Sequence, residues 1–188
     1  MFVAVPLTSS TFNGHTISTK NNIEYTDSVK TQLINEVDTY INTIAPSSKL
    51  DGEIVVDMCY EYNVDIAFVL AQGQIESHFG TTGTARKTNS VFNVGAYDGY
   101  SAAKQRANGF GFSHPNESVE PYLILLTSSY LVNGKTINDL MVSYINYLGM
   151  RYASDTRYEY MLRSVYNKIN SKNNIKSLYN EYINSLKG

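Results

Sequence analysis

The sequence predicts a mainly α-helical fold, formally α+β, with one small β-hairpin lobe. Three observations predict it. Apolar residues recur every three or four positions in successive stretches, and a capping or breaking residue bounds each stretch. One segment, 81–112, interrupts that pattern with Gly, Thr, Asn and small side chains. The chain has 188 residues, 43% hydrophobic and 17% charged, which suits one globular core and is short for two.

Taken in order, residues 1–25 carry Thr, Ser, Asn and Gly without periodicity and read as an N-terminal arm. Asp27 is placed to cap a helix whose inward face is Val29, Leu33, Val37, Tyr40, Ile41 and Ile44, and Pro46 ends it. A second helix over 51–62 turns Ile54, Val55, Met58 and Cys59 inward. After the break Asn63-Val64-Asp65, Asp65 caps a third helix from Ile66 to about Phe79, with Gly80 as its stop. Its apolar face uses Ile66, Val69, Leu70 and Gly73, and Glu76 continues it.

In the interrupted segment, Val91, Asn93, Gly95 and Tyr97 alternate like a short strand, and Asp98-Gly99 reads as its hairpin turn. Residues 100–114 are expected as loop or second strand. Helices resume at Ser118, with Tyr122, Leu123, Leu125, Leu126 and Tyr130 inward and Pro121 in the first turn. Thr136 and Asp139 form a capping box before a helix using Leu140, Met141, Tyr144 and Leu148, ended by Gly149. Asp155 caps a helix using Tyr158, Leu162, Val165 and Ile169. A last amphipathic helix uses Ile175, Leu178, Tyr182 and Ile183.

The totals narrow the function. A net charge of -2 and a pI near 5.9 give no basic surface, so nucleic acid is not an expected partner. The single cysteine, Cys59, lies in an apolar helical stretch and reads as a small buried hydrophobe rather than a nucleophile. His15, His78 and His114 are scattered and make no metal-hydrolase pattern, so neither metal nor other cofactor is expected. No stretch reaches the roughly 18 apolar residues of a membrane span. The apolar start Met1–Leu7 lacks the basic and long apolar regions of a secretion signal, so none is evident.

Glu76 is the residue with chemistry in its placement. It extends the buried face of its helix, where a carboxylate is costly to ionise. It also sits in the last turn, where the helix dipole disfavours negative charge. Both effects raise its pKa and suit a general acid. The plain alternative is a helix-end carboxylate paired with Arg86 or Lys87. Gly73, one turn earlier, costs about 1 kcal/mol relative to alanine and implies a close approach by a sugar ring or a packed element.

Four ordered segments carry a family resemblance. Val64–Thr81, which contains Leu70-Ala71-Gln72 and Glu76-Ser77-His78-Phe79-Gly80-Thr81, resembles the catalytic-helix motif of the glucosaminidase family, glycoside hydrolase family 73. Asn89–Val94 is similar to the asparagine-aromatic segment that follows it there. Glu117–Tyr122 resembles the start of the family's next helix, and Tyr152–Tyr158 its "YA-T/S-D-x-x-Y" segment. The resemblance implies a lysozyme-like bundle around a central catalytic helix, with residues 26–188 as the catalytic domain. It implies cleavage of the β-1,4 glycan strand of peptidoglycan, with Glu76 protonating the leaving oxygen. Tyr152 would lie in the cleft near the cleavage point. Phe92, Asn89 and Tyr97 would line the glycan groove, against core packing as the alternative for Phe92.

The second catalytic group stays open. Between Glu76 and Glu117 the only acidic residue is Asp98. Asp98 acts as base, or Glu117 or Glu120 reaches in, or the substrate acetamido group or a tyrosine-held water serves instead. A lytic transglycosylase or muramidase acting on the same strand is the nearest alternative. An inactive wall-binding or virion structural protein is the alternative of another class. Without an evident signal, delivery by a phage particle is expected, with virion or tail proteins as candidate partners.

Overall fold

The computed structural model describes residues 13–95 and 101–187. Among them the helices are α1 (Asn13–Ile44), α2 (Gly52–Glu61), α3 (Ile66–Ser77), α4 (Ala85–Thr88), α5 (Ala102–Ala107), α6 (Val119–Leu125), α7 (Ile137–Leu140), α8 (Tyr158–Lys172) and α9 (Ile175–Ser185). A 3-10 turn, Pro115–Ser118, leads into α6, and a π turn, Leu126–Tyr130, follows it. No described helix is long and apolar enough to cross a membrane.

The core forms around α3. Every residue from Ile66 to Gly73 is buried, so this helix is covered on all sides. Helix α8 packs along it, α2 and α9 also touch it, and α1 lies against α9 and α2. Asp65 caps α3 by accepting from Ala67 N–H at 2.9 Å, as expected. The same carboxylate accepts from Tyr166 Oη and pairs with Lys176 Nζ, each at 2.9 Å, which ties α3 to α8 and α9. Val29, Leu33, Val37, Tyr40 and Ile41 of α1 are all buried, as their spacing predicts. The helix that carries them begins earlier than the Asp27 cap, at Asn13, within the segment expected to be irregular. Where α1 meets α2 the chains approach closely: Gly52 N–H donates to Asp38 Oδ1 at 2.8 Å, and a Cβ there would sit 2.5 Å from that oxygen.

Two expectations require correction. The described residues contain no strand, so the β-hairpin lobe is not found. Residues 91–95 form turns because Asn93 (φ 51°) and Gly95 (φ 71°) occupy the left-handed region, which an extended strand excludes. Val91, Phe92 and Val94 are all buried, so the two-faced alternation of a strand is absent. Side chains replace a partner strand: Ser77 Oγ donates to Val91 O at 2.6 Å, and Val91 N–H donates to Ser118 Oγ at 3.1 Å. Of the expected loop or second strand at 100–114, residues 102–107 form helix α5, capped by Ser101, and 108–114 are irregular.

The second correction concerns 136–149. Thr136 and Asp139 do form their capping box, but α7 ends at Leu140. The chain then folds into a tight hairpin-like loop closed by the Ile145–Arg151 bridge and by Tyr152 N–H donating to Tyr144 O at 2.9 Å. Asn146 competes successfully with helix formation: its Oδ1 accepts from Leu148 and Met150 N–H, both at 2.9 Å. Leu148 is therefore 64% exposed at the loop tip rather than inward.

Candidate active site

Helix α3 stops two residues before its expected end near Phe79. His78, Phe79 and Gly80 all have positive φ (45°, 54° and 84°) and turn the chain sharply after Ser77. Ser77 is buried and fixes that turn, accepting from Gly80 N–H at 2.7 Å. Ser77 thus fixes the end of α3, and Glu76 is the residue before it in the last turn.

Glu76 is partly buried. Tyr158, in the first turn of α8, donates its hydroxyl to Glu76 Oε1 at 2.5 Å. Asn93 donates its amide to Glu76 Oε2 at 3.2 Å and to the Glu76 carbonyl at 2.9 Å. Burial pushes the Glu76 carboxyl upward, and the two hydrogen bonds pull part of the way back; the net direction is upward. Neither Arg86 nor Lys87 is among its hydrogen-bond or ion-pair partners, so the plain helix-end ion pair is not what holds it. The anticipated burial argument stands, with neutral donors in place of a cation.

A set of tyrosines surrounds this carboxyl. Tyr144 and Tyr152 stack at 4.6 Å, Tyr152 and Tyr158 lie 5.7 Å apart, and Tyr130 meets both Tyr144 and Tyr152 edge-on. Gln72, one turn before Glu76 on α3, accepts from Tyr122 Oη at 2.6 Å and Tyr144 Oη at 2.9 Å. Burial first, and the Glu76 charge second, push the hydroxyls of Tyr152 and Tyr158 well above the ordinary tyrosine range. Tyr158 is thus a proton-bearing donor throughout the range in which a carboxyl titrates.

The expected site residues are only partly brought together. Tyr152 is half-buried beside Glu76 and donates to Phe92 O at 2.8 Å. Phe92 requires correction as a groove-lining side chain: it is 1% exposed and stacked on Tyr122 at 3.9 Å, so its ring is core and its carbonyl is the contact. The rings of Phe92 and Phe79 explain Gly73. A Cβ at Gly73 would lie 3.1 Å from Phe79 and 3.3 Å from Phe92, so aromatic packing, not a sugar, makes the close approach. Asn89 (φ 55°) closes α4 and donates to the carbonyls of Phe112 and Ser113 at 3.0 and 3.1 Å. Tyr97 and Asp98 lie outside the described residues. Glu117 is bound to Ser113, and Glu120 accepts from Tyr62 Oη at 3.1 Å, so both are engaged elsewhere.

Two residues escaped sequence reasoning. Tyr158 reads as one more inward position of its helix, and only its place in the Tyr152–Tyr158 motif hinted at more. Glu159, the next residue, is 8% exposed and pairs with Arg151 Nη2 at 2.7 Å while accepting from Tyr144 N–H at 3.0 Å. Burial alone would raise its carboxyl, but those hydrogen bonds and the guanidinium together hold it below the ordinary carboxylate range. Cys59 is fully buried, which pushes its thiol well above the ordinary value and suits packing rather than nucleophilic attack.

The arrangement offers one carboxyl biased toward its protonated form, held by neutral donors at the end of a buried helix. That is the equipment of a general acid. Residues 52–171 match the glucosaminidase family model, described as mannosyl-glycoprotein endo-beta-N-acetylglucosaminidase. No curated protein matches the chain. Because that span covers more than half of the chain and includes α3 and nearly all of α8, the chain belongs to the glucosaminidase family and is a glycoside hydrolase acting on peptidoglycan.

Proposed function

We propose that the enzyme is an endo-β-N-acetylglucosaminidase that cleaves the β-1,4 glycan strand of peptidoglycan with Glu76 as general acid. The observation that carries this reading is the environment of Glu76: a carboxyl raised by burial, whose partners Tyr158 and Asn93 bear no charge. Each carboxyl oxygen has a second lone-pair position, so a proton can reside on the group while both donors stay in place. Glu76 passes that proton to the leaving glycosidic oxygen as the bond to the anomeric carbon breaks. Tyr158 and Asn93 then stabilise the carboxylate left behind, since both donate to its charged form. Tyr152, stacked beside Tyr144, borders the same point and orients sugar or water there.

Asp98 is the candidate base for the attacking water, as the one acidic residue between Glu76 and Glu117. A second reading has its own support: among the described residues no other carboxylate contacts Glu76. In that reading the substrate acetamido group takes the place of a second carboxylate, or the strand is cleaved without water by lytic transglycosylation. Mass spectrometry of the muropeptides released by the enzyme separates hydrolysis from lytic transglycosylation. A reducing-end N-acetylglucosamine supports the proposal, and an anhydromuramic product overturns it in favour of the transglycosylase.

A further inference from the structure

A cleft of about 440 Å³ opens at the far side of the α3 end, lined by Ser47, Lys49, Phe79, Gly80, Arg86 and Asn89 among others. It does not include Glu76. The cleft begins only three residues after Glu76, at Phe79, so the two Cα positions lie within roughly 11 Å along the chain. They face different neighbours. Glu76 turns toward α8, whereas Gln74, two positions earlier, accepts from Tyr40 Oη of α1 at 2.5 Å, and the cleft's Ser47 and Lys49 follow directly from α1.

The cleft is chemically uneven. Buried Phe79 and Pro115 line its base, and two exposed cations, Lys49 and Arg86, stand at its rim. Neither cation forms an ion pair among the described residues, in a chain whose net charge is -2. The walls are tied together without them. Ser48 Oγ donates to Phe79 O at 2.8 Å, joining the α1–α2 connection to the end of α3. Asn116 Oδ1 accepts from Asp51 N–H at 2.9 Å, and Asn89 holds the 112–113 backbone. The cavity is therefore preorganised, with its two positive charges left for a ligand.

We propose that this cleft binds the carboxylate-bearing peptide branch of peptidoglycan, with Lys49 and Arg86 pairing to the carboxylate above the buried floor of Phe79 and Pro115. The proposal rests on the glycan-cleaving reading of Glu76. A ligand in the cleft lies to one side of the helix end that presents Glu76, so it suits a branch of the strand rather than the strand itself. The phosphate of a wall polymer offers related chemistry from another source, and the test separates them.

The full chain carrying Glu76→Gln binds without cutting and serves as parent. Its binding is measured to peptidoglycan freed of phosphate polymers, to the same material with its carboxylates amidated, and to amidated material that retains phosphate polymers. The parent is expected to bind the free-carboxylate material about tenfold more tightly than the amidated material. With Lys49→Gln and Arg86→Gln added, binding to the free-carboxylate material falls to the amidated level and loses its dependence on salt. Both added substitutions are at exposed positions, and an unchanged melting temperature checks that folding is intact. Equal binding by parent and added variant on the free-carboxylate material overturns the proposal. So does a parental preference confined to the phosphate-bearing material. A parent that binds none of the three overturns the glycan reading as well, whereas binding to the amidated material without any preference overturns the branch site alone.

Discussion

Glu76 and Glu159 are two carboxylates at one tyrosine-lined junction between α3 and α8, and their surroundings push them in opposite directions. Glu76 has neutral partners, the Tyr158 hydroxyl and the Asn93 amide, and burial raises its pKa. Glu159 follows Tyr158 in sequence but turns to the Arg151 guanidinium and the Tyr144 N–H, which hold its pKa low despite its burial. One helical step thus separates the donor that serves a protonatable carboxyl from a carboxylate that its partners hold in the charged form. The lesson is that burial alone does not bias a carboxyl toward its protonated form: it does so at Glu76, which has no cationic partner, and fails to at Glu159, which has one.

The largest effect expected from this difference is on rate. Glu76→Gln is expected to lower glycan cleavage at least about a hundredfold, the scale of a lost general acid, while leaving the fold intact. Glu159→Gln is expected to leave cleavage within the range set by its lower stability. Turbidity clearance of a wall suspension measures both. Residual clearance by Glu76→Gln near that of the unaltered enzyme would reverse the assignment of roles.

The second effect is on stability. Glu159→Gln removes the charge from a buried, charge-assisted pair and is expected to cost about 2 kcal/mol at neutral pH by urea unfolding. The pH dependence carries the sign. Glu159 has a lowered folded pKa, so its contribution is present above its unfolded value of roughly 4.3 and is lost as pH falls through the folded value. Glu76 has a raised folded pKa, so its contribution is present below roughly 4.3 and is lost as pH rises through the folded value. The stability difference between Glu76→Gln and the unaltered enzyme should therefore move in favour of the variant from acid to neutral pH. For Glu159→Gln it should move against the variant. Parallel slopes would show that the two environments are not opposed.

How much of this contrast is legible in the chain follows from its physics. The cap Asp65, the buried face of Ile66, Val69, Leu70 and Gly73, and the place of Glu76 at the end of that face are readable because helix periodicity and capping are local. The Thr136–Asp139 capping box is readable for the same reason. The partners of Glu76 are not local. Periodicity puts Tyr158 inward without saying what it meets, and its partner is 82 positions away. The 91–95 segment misleads because alternation signals a strand only when the backbone is extended. Asn93, a non-glycine residue at φ 51°, abandons that geometry to present its amide to Glu76. The loop at 141–151 misleads similarly, since the bonds of Asn146 to its own backbone override the apolar spacing of Tyr144 and Leu148.

A smaller effect sharpens the hydrogen-bond side of the contrast. Tyr158→Phe keeps the ring packing and removes the donor to Glu76 Oε1. That bond favours the charged form, so its loss raises the Glu76 pKa further. In the proposed mechanism Glu76 must be protonated to act, so the basic limb of the kcat profile is expected to move upward by about one pH unit. The rate at the optimum should fall by less than in Glu76→Gln. A limb that stays in place while the rate falls would leave Tyr158 a packing residue only.

The smallest effect comes from a position on the same helix that touches neither carboxylate. Gly73→Ala restores helix propensity worth about 1 kcal/mol, but the new methyl meets Phe79 at 3.1 Å and Phe92 at 3.3 Å. Phe79 lies in the left-handed turn and Phe92 is stacked on Tyr122, so neither ring yields freely. Overpacking typically costs about 1–3 kcal/mol, which offsets the propensity gain and leaves a net loss of about 1 kcal/mol. Thermal unfolding measures that loss, and the pH profile of cleavage should keep its basic limb unmoved. A Gly73→Ala enzyme that melts normally yet shifts its limb would mean that the turn after Ser77 sets the Glu76 pKa through the backbone, and the contrast with Glu159 would then rest on more than its side-chain partners.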